Sequence, residues 1–190
     1  MSNIFFISDH HFEHDNVYTF VNELGERIRP WAKDSSEGDQ IMIESWNSIV
    51  GSNDLVYHLG DFTFDRKSAA IALQLNGKKI LIRGNHDRLH VSEYMEYFDE
   101  VHGVFYKYGM VLSHFPVHPG SLAFKHRMNI HGHTHNKSVT KIVRGKEVLN
   151  TKYLNVSIES EYLGKFGLKP GQPMSLDLVR DPFKQLNLIK

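Results

Sequence analysis

Short unbroken apolar runs, each ending in polar residues of metal-binding type, organise this chain. Residues 3–8 (NIFFIS), 55–59 (LVYHL) and 79–83 (KILIR) are apolar at consecutive rather than alternate positions. That pattern predicts central strands of a sheet covered on both faces. Between the first two, Met42, Ile43, Trp46, Ile49 and Val50 recur at helical spacing. They predict a helix over 39–50 capped by Asp39, with Trp46 in the core. A second helix is predicted over 65–75, with Ala69, Ala70, Leu73 and Leu75 toward the sheet. Residues 91–98 suggest a short helix, and 101–106 with 110–113 read as a hairpin turning at Gly109. Residues 128–131 form a further strand, and 136–143 with 148–156 two more around a polar turn. Residues 17–38 and 161–172 read as loops, and 175–179 as a short element. The alternation predicts an α/β fold in one domain spanning 1–190.

The residues just past each strand carry the chemistry. Asp9-x-His11 comes after the first, Gly60-Asp61 after the second and Gly84-Asn85-His86-Asp87 after the third. His114 succeeds 110–113, and Gly132-His133-Thr134-His135 succeeds 128–131. Gly-Asn-His-Asp alone is ordinary turn composition, but here the same donor types recur at one strand end after another, where α/β proteins present their sites. Asp9 and His11 are two apart, as are His133 and His135. On extended chain such pairs point the same way. His10 then packs away from the site, and His58 is buried inside its strand. His14 and Asn16 lie in the following loop.

Composition narrows the choice. The chain has 13 histidines, no cysteine, and 22 basic against 22 acidic residues. Thiolate ligands and disulfides are excluded. A neutral chain offers no general polyanion surface, so strong non-specific nucleic-acid binding is not expected. The first apolar run is too short for a signal peptide or a membrane span, and a cytoplasmic setting is expected. Imidazole and oxygen donors suit divalent Mn, with Fe, Zn, Ni or Co also accommodated. Two such cations about 3.5–4 Å apart need a carboxylate between them to offset their repulsion.

The five blocks, in this order from Asp9 to His135, resemble the signature of the calcineurin-like metallophosphoesterases. The stretches S-D-H-H-F-x-H-D-N, H-L-G-D-F and L-I-R-G-N-H-D resemble its small bacterial and phage branch. The resemblance implies an α/β fold of four-layer type, two mixed β-sheets flanked by helices, with a dinuclear metal site at the strand ends. It implies that Asp9, His11 and His135 hold one metal, that Asn85, His114 and His133 hold the other, and that Asp61 bridges them. His86 would face the phosphate and assist at the leaving group, oriented by Asp87. A hydroxide between the ions would attack phosphorus of a small phosphodiester or phosphomonoester of nucleotide-like or cyclic-nucleotide type.

Other residues are open at this level. His118, His126 and Arg127 are candidates for substrate contact. Arg27 and Arg29 either meet a phosphate or, by default, lie exposed, and Arg83 either contacts phosphate or pairs with a buried acid. Phe12, Tyr18 and Trp31 either stack on a base or cover the core. A nuclease, or a metal-binding interaction protein without turnover, are the competing functions. The chain reads equally as a monomer or as a homodimer formed along the 101–113 hairpin.

Overall fold

The alternation of strands and helices follows the apolar runs. The computed structural model describes residues 2–122 and 125–188. In chain order it holds β1 (Ile4–Ile7), α1 (Ser35–Asn47), β2 (Leu55–His58), α2 (Arg66–Ala69), β3 (Lys78–Ile82) and α3 (Val91–Tyr94). Then come β4 (Glu100–His102), β5 (Val104–Lys107), β6 (Met110–Ser113), β7 (Met128–His131), β8 (Thr140–Val143) and β9 (Lys146–Leu149). The chain finishes with β10 (Tyr153–Asn155), α4 (Glu161–Lys165), β11 (Met174–Ser175), α5 (Leu176–Arg180) and α6 (Pro182–Gln185).

Two mixed sheets result. One has the order β11-β1-β2-β3-β4 and the other β10-β7-β6-β5, while β8 and β9 form a separate ribbon. Strands β1 to β4 are parallel, as are β6, β7 and β10; β11 and β5 run against their neighbours. The unbroken apolar runs are explained by two cores, one on each face of the first sheet. Phe5, Ile7, Val56 and Leu81 face α1 to α3 with Met42, Trp46, Ala69 and Tyr94. Phe6, Tyr57, Ile80 and Ile82 pack toward Leu112, Ile130 and Leu154 of the second sheet, joined by Tyr162, Val179 and Phe183 from α4 to α6. Trp46 is fully buried, and its indole N–H donates to the Asn76 carbonyl at 3.0 Å. Burial of a side chain this size contributes about 3 kcal/mol.

The sheets meet at one edge. Ser8 and Ser157 form a parallel bridge, with Ser8 N–H donating to Val156 O at 3.1 Å and Ile158 N–H to Ser8 O at 3.2 Å. The carboxyl ends of β1, β2, β3, β6, β7 and β10 therefore converge.

Several elements differ from expectation. Helix α1 starts at Ser35 because Asp34, not Asp39, caps it, accepting from Glu37 N–H at 3.0 Å. Gly38 inside it is a packing residue, since a Cβ there would collide with the Tyr18 ring. Residues 70–74 tighten into a 3-10 turn, which buries Ile71, Ala72 and Leu75 and leaves Leu73 69% exposed. The stretch 101–106 is split between the sheets, with β4 pairing β3 and β5 pairing β6. Residues 148–156 likewise divide into β9 and β10. Among the described residues, no helix is long and apolar enough to cross a membrane.

Candidate metal centre

Three strands on the convergent edge, β1, β2 and β7, leave their sheets through left-handed turns. Asp9 (φ 63°), His11 (φ 50°), Asp61 (φ 53°), His133 (φ 66°) and His135 (φ 50°) all adopt this conformation. The paired residues thus reach the site through sharp turns and not, as the spacing suggests, along extended chain. For residues other than glycine each such conformation costs about 1–2 kcal/mol, and clustered strain of this kind belongs to functional sites. Backbone bonds hold the turns together, with Asp9 N–H donating to Gly60 O at 3.0 Å and His11 N–H to Asp61 O at 3.1 Å.

Two triads form. Asp9, His11 and His135 bring one donor atom each within 4.8 Å of one another, and so do Asp61, His114 and His133. Asp61 stands between them. Its Oδ1 accepts the His86 backbone N–H at 2.9 Å. Its Oδ2 lies 3.7 Å from His11 Nε2, 3.3 Å from His114 Nε2 and 3.9 Å from His86 Nε2. Asn85 Oδ1 is 3.0 Å from His114 Nε2, so it joins the second triad. His114 Nδ1 lies 2.8 Å from the Leu59 carbonyl; donating there, it frees Nε2 for the site.

The carboxylates are anchored. Asp9 accepts from Ser8 Oγ at 2.5 Å, Ser157 Oγ at 2.7 Å and the His133 N–H at 3.0 Å. Gly132 and Gly84 are required by this packing, because a Cβ at either would collide with the Asp9 or Asp61 carboxylate respectively. Gly60 (φ 93°) would bring a Cβ to 2.6 Å from both Gly84 N and His114 Nδ1.

Burial sets the protonation. It raises the Asp9 carboxyl against the pull of His135 and His114. It drives His11 down to about 3 and lowers His133, leaving neutral rings with lone pairs to give. For Asp61 burial opposes the charge, but the surrounding imidazoles win and hold it at about 2. Burial also opposes charge on His135, which Glu159 nevertheless lifts to about 9, and on His114, which Asp61 and Asp9 raise. Both His11 ring nitrogens are buried without a hydrogen-bond partner among the described residues. Stranded lone pairs are costly, and a cation satisfies them. The donor set of carboxylates and imidazoles fits divalent ions of the Mn to Zn series.

The remaining expected site residues separate. His86 is beside the triads, its side chain 32% exposed. Asp87 does not orient the His86 ring. Its oxygens are consumed by the N–H groups of Asp61 (2.8 Å), Phe62 (3.0 Å), Thr63 (3.3 Å) and Gly84 (2.8 Å), and burial raises it to about 6. Arg127 sits at the opposite end of β7, its N–H donating to Gly109 O at 3.0 Å. Four residues of strand, about 13 Å, separate it from the site edge. His118 is exposed and accepts from Gly120 N–H in its own turn, and His126 packs on Tyr106. None of these three is gathered into the cluster. Arg83 donates to the carbonyls of Asp87 and Leu89 rather than to an acid. Phe12 and Tyr18 are each 1% exposed and belong to the core, with Trp31 packed against it. His10 and His58 are buried as expected, ring nitrogens 2.8 Å apart.

Sequence reasoning missed the support beneath the first triad. Arg29, expected at the surface, is fully buried. It donates to the carbonyls of Asp9 and His10, both at 2.8 Å, and pairs with Glu159 at 2.6 Å. Glu159 Oε2 also lies 3.1 Å from His135 Nδ1. Burial opposes the Glu159 charge, but Arg29 and His135 hold it at about 2. Glu159 comes after β10, another strand ending on the same edge, so the logic applied to the other strand ends would have flagged it. Phe64 and Phe115 were also missed; their rings lie 4.6 Å from His86 and 4.4 Å from His133.

Residues 2–165 match the family described as Calcineurin-like phosphoesterase. An uncharacterized protein of Methanocaldococcus jannaschii is 31% identical over 183 residues, covering 94% of this chain and 90% of that protein. The gene 66 protein of Mycobacterium phage L5 is 34% identical over 119 residues, 60% of this chain and 51% of that protein. Among solved structures, a protein of unknown function from Aquifex aeolicus has the same fold, with TM-score 0.63, 23% identity and coverage of 96% of this chain and all of that one (100%).

Proposed function

The chain belongs to the calcineurin-like phosphoesterase family, and on that premise we propose that it hydrolyses small phosphodiesters or phosphomonoesters at its paired triads. The observation that carries this reading is the Asp61 Oδ2 atom, within 3.7 Å of an imidazole nitrogen from each triad. Asp9, His11 and His135 would hold one divalent cation, Asn85, His114 and His133 would hold the second, and Asp61 would be shared. When bound, the cations supply Lewis acidity at the phosphoryl oxygens and lower the pKa of water. Manganese is the metal of choice for loading in vitro.

The chain's own groups do the rest. His86, fixed to Asp61 through its backbone N–H, would face the phosphate and assist at the departing ester oxygen. Asp87 is a positioning residue that ties the strand ends carrying Asp61 and Gly84 into one unit through four backbone N–H groups. Phe64 and Phe115 pack against the His86 and His133 rings. The similarity to a phage protein supports the small bacterial and phage branch, and the lack of cysteine accords with a cytoplasmic setting.

The test is an activity panel on manganese-loaded protein, comparing an aryl monoester, an aryl diester, 2′,3′- and 3′,5′-cyclic nucleotides and short oligonucleotides. Hydrolysis of a small ester that disappears in Asp61→Asn is the expected result. A fully loaded protein that cleaves none of them would overturn the reading.

A further inference from the structure

One side of the metal centre opens into a cavity of about 410 Å3, lined by His133 and His135 from the triads and by Val17, Phe20, Ile28 and Lys137, among others. That size accommodates a small organic ligand. Its lining is apolar at Val17, Phe20 and Ile28 and polar along the turn from Thr134 to Lys137. Phe20 is 49% exposed, an unusual place for a large ring in a chain that buries most of its aromatics.

The stretch that carries Phe20 and Ile28 is a built element. Val21 and Arg27 form an antiparallel bridge, Ile28 N–H donates to Phe20 O at 2.9 Å, and Asn22 N–H to Glu26 O at 2.8 Å. Asn22 Oδ1 accepts from the N–H groups of Leu24 and Glu26, while the Arg27 guanidinium donates to the carbonyls of Tyr18 and Lys33. Residues 20–28 are thus a small braced flap beside His135. The Thr134–Lys137 turn, which also lines the cavity, is pinned by Asn155, whose amide donates to the carbonyls of His135 and Lys137. Lys137 has no carboxylate partner among the described residues, and it also lines a second cavity that shares Ile28 and Asn136 with the first.

We propose that this cavity is the specificity site of the enzyme, taking a flat ring system carried by the phosphoester, which stacks on Phe20 while its phosphoryl group lies at the triads. The assignment rests on the phosphoesterase reading and names its substrate class. Because His133 and His135 line the cavity, a ring seated there stays within one ester linkage or one sugar of the reacting phosphorus. Lys137, in the cavity lining, complements the negative charge of such a ligand. A nucleobase and a simple aryl group share this chemistry.

Calorimetric binding to manganese-loaded protein tests it with phosphonates, whose C–P bond resists hydrolysis. The ligands are methylphosphonate, phenylphosphonate and a nucleoside 5′-phosphonate. Ring-bearing ligands bind about tenfold more tightly than methylphosphonate, as expected for stacking of one ring. Phe20→Ala brings the preference to within about twofold, Phe20→Tyr keeps it, and Leu73→Ala, remote and exposed, leaves it unaltered. A preference confined to the nucleoside ligand assigns the cavity to a base, and one shared with phenylphosphonate to any flat ring. Equal affinities in the wild type, or a preference that survives Phe20→Ala, overturn the proposal. Turnover separates the two readings. Hydrolysis without ring preference removes the cavity assignment alone, whereas ring-selective binding without hydrolysis of any ester removes the hydrolase reading alone.

Discussion

Replacing Glu159 by glutamine should destabilise the protein even though the side chain changes shape very little. Glu159 is 3% exposed and Arg29 is 0% exposed at the side chain, so the substitution leaves a buried guanidinium facing a neutral amide. Breaking a buried pair costs about 3–5 kcal/mol. Arg29 keeps its bonds to the carbonyls of Asp9 and His10, which argues for the lower end. The carboxyl itself gives the same figure: a fall from 4.5 to about 2 in the folded state corresponds to about 3 kcal/mol. Because the folded value is the depressed one, this stabilisation is present above pH 4.5 and is lost as pH falls toward 2. At pH 7 Glu159→Gln should therefore lose about 3 kcal/mol in urea unfolding of metal-free protein, or about 6–12 °C in melting temperature. His135 also loses the partner of its Nδ1, and affinity for the metal of the first triad should fall about tenfold or more. A Glu159→Gln protein within about 0.5 kcal/mol of wild type and unchanged in metal titration would refute the claim that this pair braces the site.

Other consequences stem from packing and burial. Gly84→Ala would force a methyl group into the Asp61 carboxylate; metal content measured by mass spectrometry should drop for both ions, while Gly164→Ala, with nothing within 4 Å, should be neutral. Asp39 is buried, held at about 6 by that burial, and accepts the Glu13 N–H at 2.8 Å. Its folded value is raised, so its contribution is intact below pH about 4 and declines as pH climbs to about 6. Asp39→Asn, which keeps an acceptor for Glu13, should match wild type at about pH 4 and exceed it by about 2–3 kcal/mol above about pH 6; a constant offset across that range would contradict the assignment. His86→Ala should lower turnover and leave both metals bound, and loss of metal from that variant would assign the ring to a different role.

The strand-end blocks were legible because each comes after an apolar run that the fold buries on both faces. Asp9, His11, Asp61, His114, His133 and His135 all arrive on one edge for that reason. The geometry of arrival was not legible: side-chain direction was inferred from extended chain, whereas left-handed turns at five of these positions do the aiming. Asp87 looked like the orienting partner of His86 by adjacency, but four backbone N–H groups compete for it. Arg29 was missed because arginine is ordinarily a surface residue, and only the closure of 130 positions of chain sets it against Glu159. Arg127, considered as part of the loop between His114 and the last histidine pair, lies just before β7 at the end away from the triads, because that loop spans the length of the strand.

The most direct measurement is anomalous diffraction from crystals grown with manganese. The account predicts two peaks, one among Asp9, His11 and His135 and one among Asn85, His114 and His133, with the Asp61 carboxylate touching both. A single peak, or two peaks neither of which contacts Asp61, would contradict it.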